Sequence, residues 1–297
     1  MGKGPRMRYI WAMKRVDLFG LFFLLLLPGP AAWGQTEATA ARSTSSRPLD
    51  WYPWLCREKG RCATRGPWAT VHDRFAVPPG CRRLTYPRGS FADWVQHLPL
   101  LPEGAQPVDY LGQPLRTRLP ALAIVDIDIY PAGKDWQQCA DYGLRLCLEY
   151  LTRFRPRARV TWRLQSGARY RFVPRPRQLR RHLNRTFAFL GTFGIKRFFP
   201  KVRGPAELRP GDLVVGNSTG SIGHAVVIHD VVECRGGERR YLASQSWMPA
   251  QSPHVPRLES SSTPGDYVLW EDLSSFIRDV TGDDAAHLRR LPGCEPR

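Results

Sequence analysis

Residues 136–154 constrain the fold more than any other stretch, because each local signal in them specifies one long helix. Asp135 and Gln138 have capping-box spacing, with Asp135 as N-cap and Gln138 at the third helical position. Asp141/Arg145, Arg145/Glu149 and Glu149/Arg153 are opposite charges four residues apart along one face. Trp136, Cys139, Gly143, Leu146, Tyr150 and Phe154 make the apolar stripe on the other. Such a helix must bury its stripe against a second layer. The following chain supplies one: 157–165 and 168–173 read as strands around a Ser166-Gly167 turn, and 212–215, 224–232 and 240–244 as further strands. A second amphipathic helix is expected over 177–193, a short helix around 90–97 and a strand over 121–130. The pattern predicts one α+β domain over 49–297, a helix packed on a mainly antiparallel sheet.

The region before that domain reads as an export signal. Lys3, Arg6, Arg8, Lys14 and Arg15 precede an apolar run over 18–27, then Pro28-Gly29-Pro30 and the small-residue site Ala32-Trp33-Gly34. The run is about half the roughly 20 residues a membrane-spanning helix needs. Residues 1–34 are therefore expected to be a cleaved signal peptide, with retention as an anchor the alternative, and no later membrane span is expected. Residues 35–48, rich in Ser, Thr, Ala and Arg, read as a flexible leader. The mature protein is expected outside the cytoplasm, periplasmic or secreted.

The chain has seven cysteines, at 56, 62, 81, 139, 147, 234 and 294. In an exported protein this suggests disulfides with one thiol left over. The sequence leaves the pairing open except at one point. Cys139 and Cys147 lie about 12 Å apart along one helix, beyond the roughly 7 Å Cα reach of a disulfide. The cysteines lack the close paired spacing of a zinc site, and no phosphate-binding glycine loop is present, so neither metal nor cofactor is expected. The net charge is +18, and no Asp or Glu occurs between Arg153 and Ala206. That field should attract an anionic polymer or peptide. Export makes envelope phosphates or peptidoglycan carboxylates the expected partners, rather than nucleic acid.

Cys139, in the first turn of the helix, is the candidate nucleophile: unpaired backbone N–H groups and the helix dipole there favour a thiolate. Gln138 or Gln137 beside it can donate to an oxyanion. His224 opens the strand at 224–232, between small Gly223 and Ala225, and is the candidate base. His229 lies an odd number of residues further, on the other sheet face, and the remaining histidines have no comparable context. Gln245 follows the strand at 240–244 and can hold the imidazole in one tautomer. Trp136, Trp247 and Gln251 are the candidate substrate-binding residues.

The order of Cys139, His224 and Gln245-Ser246-Trp247 resembles the papain-like thiol hydrolases. The Gly211-Asp212-Leu213 turn before a His-led strand is similar to their NlpC/P60 branch, which hydrolyses cell-wall peptides. Two features depart from that pattern: Ala140-Asp141-Tyr142 after the cysteine, and glutamine as third residue. A second resemblance spans about 70–275. Pro79-Gly80-Cys81-Arg82-Arg83, Asp135-Trp136-Gln137-Gln138-Cys139-Ala140-Asp141, Gly223-His224-Ala225 and Gln245-Ser246-Trp247-Met248-Pro249-Ala250-Gln251 resemble a bacterial exported family known as domain of unknown function 4846. Together the resemblances imply a papain-like (NlpC/P60-like) fold and a cysteine hydrolase acting on a cell-envelope polymer such as peptidoglycan. The alternative is a non-catalytic basic envelope-binding domain on the same fold.

Overall fold

One eleven-residue strand organises the molecule. In the computed structural model, which describes residues 49–56, 69–117, 119–218, 223–258 and 265–295, the strands are β1 (Cys81–Arg83), β2 (Ala121–Ile124), β3 (Val160–Arg163), β4 (Arg169–Phe172), β5 (Leu213–Gly216), β6 (His224–Cys234), β7 (Arg239–Ser244), β8 (His254–Pro256) and β9 (His287–Arg289). The helices are α1 (Val71–Arg74), α2 (Phe91–Gln96), α3 (Cys139–Phe154), α4 (Leu179–Phe189), α5 (Thr192–Phe198) and α6 (Trp270–Thr281). The expected signal peptide at 1–34, the leader at 35–48 and Cys62 lie outside the described residues.

The long strand is β6, and all its neighbours run antiparallel. On one edge β5 covers its first half, from Gly216↔His224 to Leu213↔Val227, and β1 covers its end, from Arg83↔Val232 to Cys81↔Cys234. On the other edge β7 pairs from Val227↔Ser244 to Glu233↔Arg239, with a bulge between Ile228 and Asp230. Beyond β5 lies β9. Because successive strand side chains point to opposite faces, β6 serves two cores. Ala225 and Val227 join the cluster that includes Leu144, Leu146 and Leu148 of α3, whereas Val226 and Ile228 join Leu273 and Ile277 of α6. The architecture is mixed α+β with antiparallel sheets.

Local chemistry explains the helix boundaries. Ser90 Oγ accepts the Asp93 N–H at 3.2 Å and starts α2 one residue later. The main helix starts at Cys139 rather than Trp136, because Gln138 is extended (φ −88, ψ −164) and the Asp141 carboxylate accepts its N–H at 3.1 Å. The Asp135–Gln138 pairing survives as a side-chain contact of 3.2 Å outside the helix. The expected helix over 177–193 divides into α4 and α5, since Leu190 turns extended (φ −141, ψ 99).

The charged face of α3 is also not solvated. Arg145 and Glu149 are fully buried and Asp141 is 7% exposed. Chain 128–137 covers that face: Arg145 Nη2 reaches Asp128 Oδ1 at 2.5 Å, and Nη1 reaches the Asp128 carbonyl and Gln137 Oε1. Arg153 pairs with Asp50 instead of Glu149. Of the three expected i,i+4 pairs, Arg145–Glu149 forms, at 3.4 Å in the interior, whereas Asp141 accepts from the Gln138 N–H and Arg153 turns to Asp50.

Disulfides join Cys81 to Cys234 and Cys147 to Cys294, and Cys139 carries a free thiol. The first closes the β1–β6 register, and the second ties α3 to the chain end. Helix and sheet meet closely at Gly143, where an added Cβ would lie 2.6 Å from Leu213 Cδ2 and 3.3 Å from Val227 Cγ2. Gly143→Ala is therefore expected to destabilise by about 1–3 kcal/mol through overpacking. Urea unfolding checks this, and an unchanged midpoint would show that the layers can separate freely.

Candidate functional site

The end of the sheet where β6 begins meets the N-terminus of α3. Cys139 is the first residue of α3 and is 6% exposed. Its Sγ lies 3.8 Å from the Gly223 carbonyl, 84 positions away in sequence, so the thiol contacts the backbone immediately before His224. Small residues permit this approach. A Cβ on Gly223 would fall 1.9 Å from Thr192 Oγ1 and 2.4 Å from Asn217 Nδ2. Thr192 and Asn217 hydrogen-bond to each other at 3.1 Å and hold the start of β6 in place.

His224 is 2% exposed, and its Nε2 lies 2.8 Å from Gln245 Oε1. An amide oxygen can only accept, so this contact places the proton on Nε2 and leaves Nδ1 as the basic nitrogen. The Trp247 ring packs over the imidazole at 4.1 Å between centroids, and Phe276 of α6 meets it edge-on at 5.9 Å. Gln245 Nε2 in turn contacts His254 Nε2 at 3.3 Å, and His254 Nδ1 lies 3.0 Å from the Ser252 carbonyl. The sequence reading missed His254. Its place depends on a backbone bridge between Gln245 and His254, a tertiary pairing with no local signature.

The segment 245–251 is bound to the loop before Cys139 at two points. Ser246 Oγ donates to the Gln251 carbonyl at 2.8 Å and lies 3.3 Å from the Gln137 carbonyl. The Ala250 N–H donates to Asp135 Oδ1 at 2.6 Å. These bonds fix the third residue relative to the thiol, a role for Ser246 and Asp135 that sequence alone did not assign. Gln251 itself is 7% exposed and pairs through its backbone with Asp109, so it supports the segment from within. Trp136 is 40% exposed, with Lys134 Nζ 5.2 Å from its ring, and Trp247 is half-buried against His224.

The two glutamines differ. Gln138 Nε2 donates to Asp135, whereas Gln137 is fully buried and uses Oε1 to accept from Arg145 and from the Tyr130 N–H. Gln137 Nε2 is buried without a hydrogen-bond partner among the described residues. It is the uncommitted amide donor beside the cysteine.

Electrostatics change one expectation. Burial, reinforced by the nearby Asp141, pushes the Cys139 thiol up to about 12, against the lowering expected at a helix N-terminus. Desolvation in this closed site outweighs the helix dipole. Burial also depresses His224 to about 4, opposed only in part by Gln245. Thiol and imidazole are therefore both neutral at pH 7. His229 is fully buried, 3.0 Å from Tyr142 Oη on α3, and burial lowers it to about 3, as expected of a neutral core histidine. Among the described residues no three His, Cys, Asp or Glu side chains are grouped as metal ligands, and no helix is long and apolar enough to cross a membrane.

The family model described as a domain of unknown function (4846) matches residues 71–175 and 174–270. These spans cover more than half of the chain, and the chain belongs to that family. No curated protein and no solved structure matches it.

Proposed function

We propose that this family member is a papain-like cysteine hydrolase, of NlpC/P60-like architecture, acting on an amide or ester of a cell-envelope polymer such as peptidoglycan. What supports the reading is a free thiol at a helix start that contacts the backbone carbonyl immediately before His224, and a glutamine amide oxygen 2.8 Å from His224 Nε2. An exported, bacterial setting belongs to the same reading.

The chemistry follows from the neutral resting pair. On substrate binding the Cys139 proton passes to His224 Nδ1 as sulfur attacks the carbonyl carbon, and the electron pair moves to the carbonyl oxygen. Backbone N–H groups at the start of α3, with Gln137 or Gln138, steady that oxyanion. The imidazolium, held by Gln245, gives its proton to the leaving amine or alcohol, and a thioester forms on Cys139. Water then attacks the thioester with His224 as base, which releases the acid and restores the thiol. Trp247 shields the His224–Gln245 hydrogen bond from water, and Trp136 offers an exposed ring for a sugar face.

The test is to incubate the protein with peptide-bearing glycan fragments, quench in acid and map the peptide containing Cys139 by mass spectrometry. An acyl group on Cys139 with released product is expected; fragments left intact and an unmodified Cys139 would sink the proposal. The pH profile gives a second measurement. The base works only when neutral, and His224 is held near 4 instead of 6.5. Turnover is therefore expected to persist to about pH 5 and fall below about pH 4. An acid limb centred near 6.5 would mean that another histidine carries the reaction.

One observation favours a second reading. A thiol raised to about 12 with an acid two residues on is a poor resting nucleophile, as a non-catalytic envelope-binding domain on the same fold would allow. That domain would leave every fragment uncleaved while still binding it.

A further inference from the structure

The acid-free part of the sequence builds one continuous piece of the molecule: the β3–β4 hairpin, the turn after it, α4 and α5. Within the hairpin, Val160↔Phe172 and Trp162↔Tyr170 turn inward, whereas Thr161↔Arg171 and Arg163↔Arg169 face solvent. Arg163 and Arg169 therefore stand directly opposite each other, with Arg171 next along the same face. Like charges in that position destabilise an antiparallel pair. A hairpin that carries this repulsion gains most from a ligand that removes it.

Beside this face lies a cleft of about 480 Å³, walled by β3, β4 and the start of α4. Arg159, Arg171, Arg175 and Arg181 line it, and its wall contains no acidic residue. All four are exposed. Among the described residues none of the four takes part in an ion pair. A larger basic groove differs in part: there Lys196 is paired with Asp283 and Arg203 with Glu207. Every cation in the first cleft is an arginine, whose planar fork bonds phosphate or carboxylate through two parallel N–H groups. Arg169 and Arg171, two apart on β4, stand about 6.6 Å apart, and Arg171 also lines the cleft, so the cationic surface continues from the hairpin face into it. A concave cationic surface continued by the hairpin face suits a chain better than the flat surface of a membrane.

We infer that this cleft and the adjoining hairpin face bind an extended polyanion whose oxyanion groups repeat along one chain. The site is separate from the cysteine chemistry and stands without it. It would hold the anionic chain of a larger substrate, or anchor the protein to that chain.

The experiment titrates the full chain with inorganic polyphosphate and, separately, with poly-L-glutamate, over about 50–200 mM salt. Binding to one or both is expected, and the preferred chain separates a phosphate source from a carboxylate one. Combined Arg171→Gln, Arg175→Gln and Arg181→Gln should weaken binding roughly a hundredfold at about 50 mM salt and flatten the log–log salt slope by about 2. The same probe should raise the melting temperature of the parent and leave that of the triple variant nearly unmoved. A control removing the exposed Arg116, Arg235 and Arg257 is expected to bind within about threefold of the parent. Equal weakening in both triple variants would overturn the proposal, because net charge alone would then suffice. Binding to anionic phospholipid vesicles with neither chain bound would overturn it as well. Cys139→Ala should bind as the parent does, so failure of the hydrolase reading and failure of this one are read separately.

Discussion

Cys139→Ala is expected to fold as the parent does and to lose turnover of envelope fragments by about four orders of magnitude or more. The cysteine is outside the described disulfides, and its sulfur contact with the Gly223 carbonyl is a weak one of 3.8 Å. Removing Sγ should change stability by no more than about 1 kcal/mol. The effect on rate is far larger, because without sulfur there is no thioester and the remaining groups can only polarise the carbonyl. His224→Ala should cost nearly as much, and the double variant no more than either single one, since nucleophile and base act as a unit. Product release measured by mass spectrometry decides this. Turnover of Cys139→Ala within tenfold of the parent, or additive losses in the double variant, would remove Cys139 from the chemistry. Circular dichroism and urea unfolding of the same proteins separate loss of chemistry from loss of fold.

Arg145→Ala should destabilise the protein by about 3–5 kcal/mol. The guanidinium is fully buried and holds three structures together. Nη2 reaches Asp128 Oδ1 at 2.5 Å, Nη1 the Asp128 carbonyl and Gln137 Oε1, and Nε the Glu149 carboxylate at 3.4 Å. The Tyr130 ring lies 5.8 Å from the guanidinium carbon. Truncation removes a fully buried cation from beside the Asp128 and Glu149 carboxylates, and breaking that buried network is the larger part of the cost. It also frees Gln137, so the loop that leads into Cys139 loses its anchor. Arg145→Met combined with Glu149→Leu should recover much of the loss, because an apolar pair of similar volume removes the buried charge instead of stranding it. If the double variant unfolds as early as Arg145→Ala, the stability resided in the Asp128 and Gln137 bonds.

These predictions depend on features that were unequally visible in the sequence. The thiol at a helix start was legible because capping chemistry and apolar periodicity are local, and so was the strand opening at His224. The Gln245 carboxamide was legible as a polar residue at a strand end. Its pairing with His224 was expected from their order in the chain, but the 2.8 Å contact itself needs the β6–β7 register that carries Val227 to Ser244. His254 was passed over for the same reason: only the pairing of residue 254 with residue 245 gives it a neighbour. The i,i+4 charges on α3 were legible as one face, but their burial was not, because spacing specifies which side chains align and is silent on what packs against them.

The sequence by itself determined the α+β composition, the cysteine that cannot pair along its helix, and the acid-free cationic stretch. All are statements about neighbours in the chain or about totals. Tertiary structure alone decided the environment of each group. Enclosure by the sheet drives the Cys139 thiol up to about 12 and His224 down to about 4, reversing the effect of the helix dipole. It also turned the charged face of α3 inward and gathered around one cleft four arginines that form no ion pair among the described residues. The physical reason is that solvation and field strength depend on every surrounding atom, most of them contributed by residues far away in sequence.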